Sequence, residues 1–313
     1  MTNRRECVAH ACALILALCF LGSALPLRAQ DTESGLTQEI GWEISTGHIR
    51  SALADARRAV LEFPQSAILM HLLAVAESKD GLEDAARKSF GKSIRLDPTI
   101  PQNYYDLALL DMQVDDYADA TAMIQTYLQI TPQNAKAHLM LGIAYRKQGK
   151  NQLAITQLKQ AIAASPDLPL AHYNLGKIYQ SQGDNRDALG EFRDELGVNP
   201  QFYDVYWSAG NAELAEKHYK SAKALFSRGT ELEPLAYQAY LGLARLYLAQ
   251  NQLPKAESEL ETVIALAPQN IEAHTMLAGV YTKLGKTLEA KREELVVETL
   301  ENQAKQAEAA PAH

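Results

Sequence analysis

The stretch AKAHLMLGIAYRKQGKNQLAITQLKQAIAASP, residues 135–166, decides how the rest of the chain is read. It reads as two amphipathic helices on either side of a turn at Gly149. Pro166 closes it, and the pattern then starts again. Pro64, Pro98, Pro132, Pro166, Pro200, Pro234 and Pro268 follow one another at intervals of 34 residues without a slip. Twenty-two residues after each proline stands an alanine: Ala86, Ala120, Ala154, Ala188, Ala222, Ala256 and Ala290. The same register counted backwards gives Ala52.

Further rows share this period. Leu73, Leu107, Leu141, Leu175, Leu243 and Leu277 occupy one position, with Ala209 the exception, and the next residue is always alanine or glycine. Tyr145, Tyr179, Tyr247 and Tyr281 occupy another. The turn holds Gly47, Gly81, Gly149, Gly183 and Gly285, with Asp115 and Asn251 as substitutes that also accept a left-handed backbone. The small rows mark where two helices cross closely, and a larger side chain there costs roughly 1–3 kcal/mol. Proline ends the second helix and sets the turn into the next unit.

The spacing Leu141-Gly142, Tyr145, Ala154, Leu158, Pro166, repeated as Leu175-Gly176, Tyr179, Ala188, Phe192, Pro200, resembles the tetratricopeptide repeat family. The resemblance covers residues 33–302. It implies an all-α fold: an α-solenoid of about eight 34-residue helix-turn-helix repeats in a right-handed superhelix. Residues 33–304 form the array. Within it, 33–66 are a degenerate N-terminal cap with Glu39-Ile40 in place of leucine and a small residue, 67–270 are six full repeats, and 271–304 are a capping repeat with Asn302 where proline is due. Residues 305–313 are expected to be a disordered tail.

The first 29 residues are a different polymer. Arg4 and Arg5 precede the apolar run Ala11–Leu21, and small residues follow at Gly22, Ser23, Ala24 and Ala29. That order predicts a secretory signal peptide cleaved after Ala24 or Ala29, with 30–32 as a short linker; the run is short for a membrane span. The expected location is periplasmic or secreted. A lipobox at Leu16–Cys19 and a twin-arginine signal at Arg4-Arg5 fit less well, and an uncleaved signal would leave the protein membrane-anchored. Cys7, Cys12 and Cys19 all lie in this segment, so the remainder holds no disulfide or thiol nucleophile.

Residues 1–29 also hold three of the 30 basic residues and one of the 38 acidic ones. The remainder therefore has 27 basic and 37 acidic residues, a net charge of −10. Nucleic acids and anionic membranes require basic surface, so neither is an expected partner.

The sequence offers no catalytic constellation, cofactor motif or metal site. His138, His172 and His274 share one register position, six residues after the proline, and read as packing residues. Gly285-Lys286-Thr287 lacks the glycine spacing and leading strand of a phosphate loop.

The resemblance implies instead a concave groove, lined by the first helices, that takes an extended peptide or a partner helix. Seven residues after each proline stand His71, Tyr105, Leu139, Tyr173, Trp207, Leu241 and Thr275. Eleven residues after stand Val75, Leu109, Ile143, Lys177, Asn211, Arg245 and Gly279. Tyr105, Tyr173 and Trp207 would supply apolar contacts. Lys177, Asn211 and Arg245 would hold a carboxylate or backbone carbonyls, loosely resembling the carboxylate-clamping members of the family. The expected function is non-catalytic scaffolding for a protein partner in envelope assembly. The alternative is an accessory subunit of an envelope enzyme or of a polysaccharide or pilus export complex.

Overall fold

A computed structural model describes residues 32–309; the expected signal peptide lies outside them. Among the described residues there are sixteen helices and no strand. They are α1 (Glu33–Ser45), α2 (Ile49–Glu62), α3 (Ala67–Lys79), α4 (Glu83–Leu96), α5 (Pro101–Gln113), α6 (Tyr117–Ile130), α7 (Ala135–Lys147), α8 (Asn151–Ala164), α9 (Ala171–Gln182), α10 (Asn185–Val198), α11 (Tyr203–Ala215), α12 (Tyr219–Leu232), α13 (Tyr237–Ala249), α14 (Leu253–Leu266), α15 (Ile271–Lys283) and α16 (Thr287–Ala309). They fall into two compact units that part between Pro132 and Gln133. In each unit consecutive helices pair and the pairs stack. None of these helices is long and apolar enough to cross a membrane.

Both punctuation marks of the repeat work locally. At the turn inside each pair, Gly47, Gly81, Gly149, Gly183 and Gly285 take positive φ of 73–85°, as do Asp115 (60°) and Asn251 (57°). Lys217 (61°) fills the same place in the sixth pair, where no sequence signal marked it. The left-handed residue lets the next amide reach back, as in Lys150 N–H to Tyr145 O at 2.9 Å, which satisfies a terminal carbonyl. Between pairs, the residue before proline is extended, as at Ser165 (φ −151°, ψ 94°), and the second helix stops there. Asn134 and Asn270 then cap the next helix, accepting from Ala137 N–H and Ala273 N–H at 2.9 Å each.

The core is a row of second-helix side chains packed against small first-helix residues. Phe192 and Phe226 on second helices are fully buried, and glycines of first helices face them. A methyl group at Gly176 would come within 2.7 Å of the Phe192 ring. Phe226 meets two glycines, Gly210 and Gly242, and a methyl at Gly210 would sit 2.5 Å from its ring. The match is not strict: Leu158 also faces a glycine, Gly142, while Phe90 clusters with Ala74 and Leu260 with Ala244.

The position six residues after the proline also has a defined task. Tyr104, Tyr206 and Tyr240 donate to the carbonyls of Pro98, Pro200 and Pro234 at 3.0, 2.9 and 3.2 Å. His274 Nε2 does the same to Pro268 O at 3.0 Å. His138, His172 and His274 also bond across their pairs through Nδ1, to Gln157, Glu191 and Glu293 at 2.8, 2.7 and 2.5 Å.

The tail expected to be disordered from Lys305 is helical as far as Ala309. Thr287–Ala309 contains no proline or glycine and is rich in Glu, Ala, Lys and Leu, so nothing stops the helix.

In the first unit, Arg87 of α4 forms an ion pair with Asp111 of α5, whose side chain is 1% exposed. Burial pushes the Asp111 carboxyl up to about 6 despite Arg87, with Asp119 and Asp116 adding to the rise. A folded-state value above the unfolded 3.8 means that this group's stabilising contribution is complete below about pH 4. It is lost as pH rises through about 6.

Two outcomes follow. The double substitution Gly210→Ala/Gly242→Ala should lower unfolding stability by about 2 kcal/mol by forcing Phe226 out of its slot, and adding Phe226→Leu should recover about half of it in urea titrations. Asp111→Asn should gain on the wild type by roughly 2–3 kcal/mol between pH 4 and pH 8, measured by urea unfolding at both pH values.

Candidate functional site

The polar groups predicted for the groove separate into those that are matched internally and those that are not. In the second unit, α9 and α11 lie side by side. Lys177 of α9 stands over the Trp207 ring of α11, with Nζ 5.1 Å from the ring centroid. Its ammonium donates to Gln180 Oε1 at 3.1 Å, and Gln180 Nε2 donates to Ser208 O at 2.8 Å. Trp207 Nε1 is buried and has no hydrogen-bond partner.

A second cation joins them. Arg146, near the end of α7, donates through Nε to Asn174 Oδ1 at 3.1 Å, and Asn174 Nδ2 donates to Leu170 O at 2.7 Å. Burial holds the Lys177 ammonium below the usual lysine value. The neighbouring Arg146 lowers it further, while Asp204 acts in the opposite direction. Neither Arg146 nor Lys177 has an ion-pair partner within 4.0 Å among the described residues. The result is a half-buried pair of like charges beside an unpaired indole N–H, an arrangement suited to an anion or a strong acceptor.

Tyr173 forms the apolar border. Its ring meets Phe202 edge-on at 4.9 Å and 71°, and lies 6.1 Å from Phe192. Burial pushes its phenol up, Asp204 adds to this, and the Ser208 hydroxyl and Arg146 act against it.

The other expected groove residues are engaged as follows. Arg245 is matched: its Nε and one terminal nitrogen donate to Glu272 Oε1 at 3.0 and 2.6 Å. Tyr105 belongs to the first unit, where its ring packs on Tyr127 at 5.1 Å, so it is described apart from the others. The row seven residues after the proline is mixed: Tyr105, Tyr173 and Trp207 are half-buried and Thr275 is exposed. His71, Leu139 and Leu241 are buried, because this side chain reaches into the start of the next helix pair, as His71 does to Asn103 at 2.9 Å and Tyr173 to Phe202. Asn211 is half-buried on α11 and makes no side-chain hydrogen bond among the described residues.

Arg146 and Gln180 were missed. They stand fourteen residues after Pro132 and Pro166, one turn beyond Ile143 and Lys177 on the same face. The row they belong to reads Ser78, Met112, Arg146, Gln180, Leu214, Leu248, Thr282 and is charged only at Arg146.

Glu195 positions α9, and no pattern pointed to it. Its register holds Ala59, Ser93, Tyr127, Ala161, Gly229 and Val263 elsewhere. Fully buried, its two oxygens accept Leu170 N–H at 2.8 Å and Tyr173 N–H at 3.1 Å. It satisfies the open start of α9, which begins five residues after Pro166, two later than α11 begins after Pro200. Leu170 is left-handed there (φ 72°).

Against known proteins, three repeat profiles match: a TPR repeat at 142–183 and tetratricopeptide repeats at 173–222 and 213–280. Residues 142–280 carry tetratricopeptide repeats. No curated protein matches its sequence. Among solved structures it is similar to the C-terminal part of a TPR repeat-containing protein from Cytophaga hutchinsonii (18% identity, TM-score 0.62, 77% of this chain and 99% of that one). It is also similar to the APC/C hetero-tetramer Cut9–Hcn1 (18%, 0.61, 80% of this chain), where it spans only 50% of the matched chain. A third is PilW, a widely conserved type IV pilus biogenesis factor (21%, 0.59, 64% of this chain and 93% of that one). At these identities the likeness is one of tetratricopeptide fold.

Glu195→Ala should destabilise the protein by about 2–3 kcal/mol in urea unfolding, since two helix-start amides lose a charged acceptor; Glu195→Gln, which keeps one acceptor oxygen, should cost about half as much.

Proposed function

We propose that this chain is a non-catalytic scaffold that holds an extended peptide of a protein partner, with Arg146, Lys177 and Trp207 as the polar anchor and Tyr173 as its apolar border. Tetratricopeptide repeats are protein-interaction modules, and the coarse assignment rests on the family. The finer one rests on a single observation: two half-buried cations without an ion-pair partner stand together, and an unpaired buried indole N–H adjoins them. Half-buried cations are weakly screened by water, so an incoming carboxylate or carbonyl oxygen gains charge-assisted hydrogen bonds there. Arg245 lies outside this anchor because Glu272 already neutralises it.

The setting we propose is the cell envelope, with residues 1–29 as an export signal and the array of residues 33–304 working beyond the inner membrane. The acidic balance and the apolar n-terminal run support that reading, and the similarity in fold to a pilus biogenesis factor is in keeping with it.

The test uses a random peptide library with free C-termini, displayed against the immobilised chain, and fluorescence polarisation of the selected peptides. Acidic or free-carboxylate peptides should be enriched. Lys177→Ala and Arg146→Ala should each weaken binding by about tenfold, the scale of one charge-assisted hydrogen bond, and Arg245→Ala should leave it unchanged. Selected peptides whose affinity ignores both Lys177 and Arg146 would refute the anchor.

A further inference from the structure

The histidine register provides three versions of one local arrangement, and they differ in a way that points to a metal ion. In each, a histidine early in the first helix bonds through Nδ1 to a residue nineteen positions later on the second helix. His138 meets the neutral amide of Gln157. His274 meets Glu293 and has its second nitrogen on Pro268 O, so both ring nitrogens are engaged. His172 meets Glu191, and Asp194 stands one turn further along α10 on the same face. Only this version brings three ligand-type side chains together. One imidazole nitrogen and one carboxylate oxygen from each of Glu191 and Asp194 lie within 4.8 Å of one another.

We propose that His172, Glu191 and Asp194 form a binding site for a divalent transition-metal ion of the zinc class. Two carboxylates neutralise the ion's charge, and a neutral imidazole supplies the borderline-soft donor that calcium or magnesium would not select. Three ligands about 2.1 Å from a tetrahedral centre sit roughly 3.4 Å apart, and rotamer adjustment of the part-exposed Glu191 and the exposed Asp194 closes the remaining gap. Water takes the fourth position. Binding replaces the imidazole–carboxylate hydrogen bond and so competes with protons. The ion would tie α9 to α10. Because α9 also carries Tyr173 and Lys177, the site would stiffen the helix that presents them, although the metal proposal does not depend on any peptide-binding role.

The experiment is isothermal titration of the whole chain, free of any affinity tag, with zinc chloride, followed by cobalt(II) absorbance. One site of micromolar affinity and a tetrahedral cobalt band in the visible are expected. His172→Ala and the exposed-site variant Asp194→Asn should each weaken it by about tenfold or more, the range seen on loss of ligand support. His138→Ala and His274→Ala should leave it in place. Circular dichroism of each variant separates loss of ligand from loss of fold. Absence of zinc binding would overturn the proposal, as would binding that survives Asp194→Asn and His172→Ala or vanishes with His138 or His274.

Discussion

Everything in this protein depends on how closely a first helix approaches the second helix of its pair. That distance is set by how a side chain of the second helix fits over a small residue of the first: Phe192 against Gly176, Leu158 against Gly142, and Phe226 against Gly210 and, in the next pair, Gly242. Single helices of about 13 residues are marginal in water, so this contact and its equivalents are what make the helices persist. Its consequence for function is geometric. With the pair held rigid, successive first helices set their side chains next to those 27 to 34 residues away, and any site must be assembled from that lattice of neighbours.

The same spacing explains what could and could not be read from the sequence. The rows of proline, alanine and turn glycine were legible because each reports a local requirement: an end, a close crossing or a left-handed residue. Lys217 escaped because a lysine can be forced into the left-handed turn by the repeat on either side, at a cost no residue preference announces. Glu195 escaped for the opposite reason. It compensates a helix that starts late, and that delay is a property of the backbone at Leu170.

The groove was legible in part. Lys177 and Trp207 meet, a contact that their separate rows did not announce. Arg245 does not stay free, because Glu272 stands 27 residues on, four after the next proline, within reach of its guanidinium. The same offset from Lys177 leads to Asp204, yet the Lys177 ammonium is hydrogen-bonded to Gln180 and lies over Trp207 instead. Identical spacing therefore gives a closed pair in one repeat and an open cation in another. The difference lies in the neighbours at the fourteenth position: Gln180 holds Lys177 over the indole ring, while Leu248 offers Arg245 no such acceptor.

Binding specificity in such an array is then a matter of which internal neutralisations are left incomplete. Every first helix can carry a cation at its eleventh or fourteenth position and an acid at the fourth position of the next pair. Where both are present and free, they cancel, as with Arg245 and Glu272. Where a second cation intrudes, as Arg146 does beside Lys177, one nearby carboxylate cannot satisfy both, and the excess charge stays half-buried where screening by water is weak. In the proposed function, recognition is then stored in the mismatch between adjacent units. The residues that make every unit alike carry the fold, and in the function proposed above the few that break the pattern between α7 and α11 carry recognition.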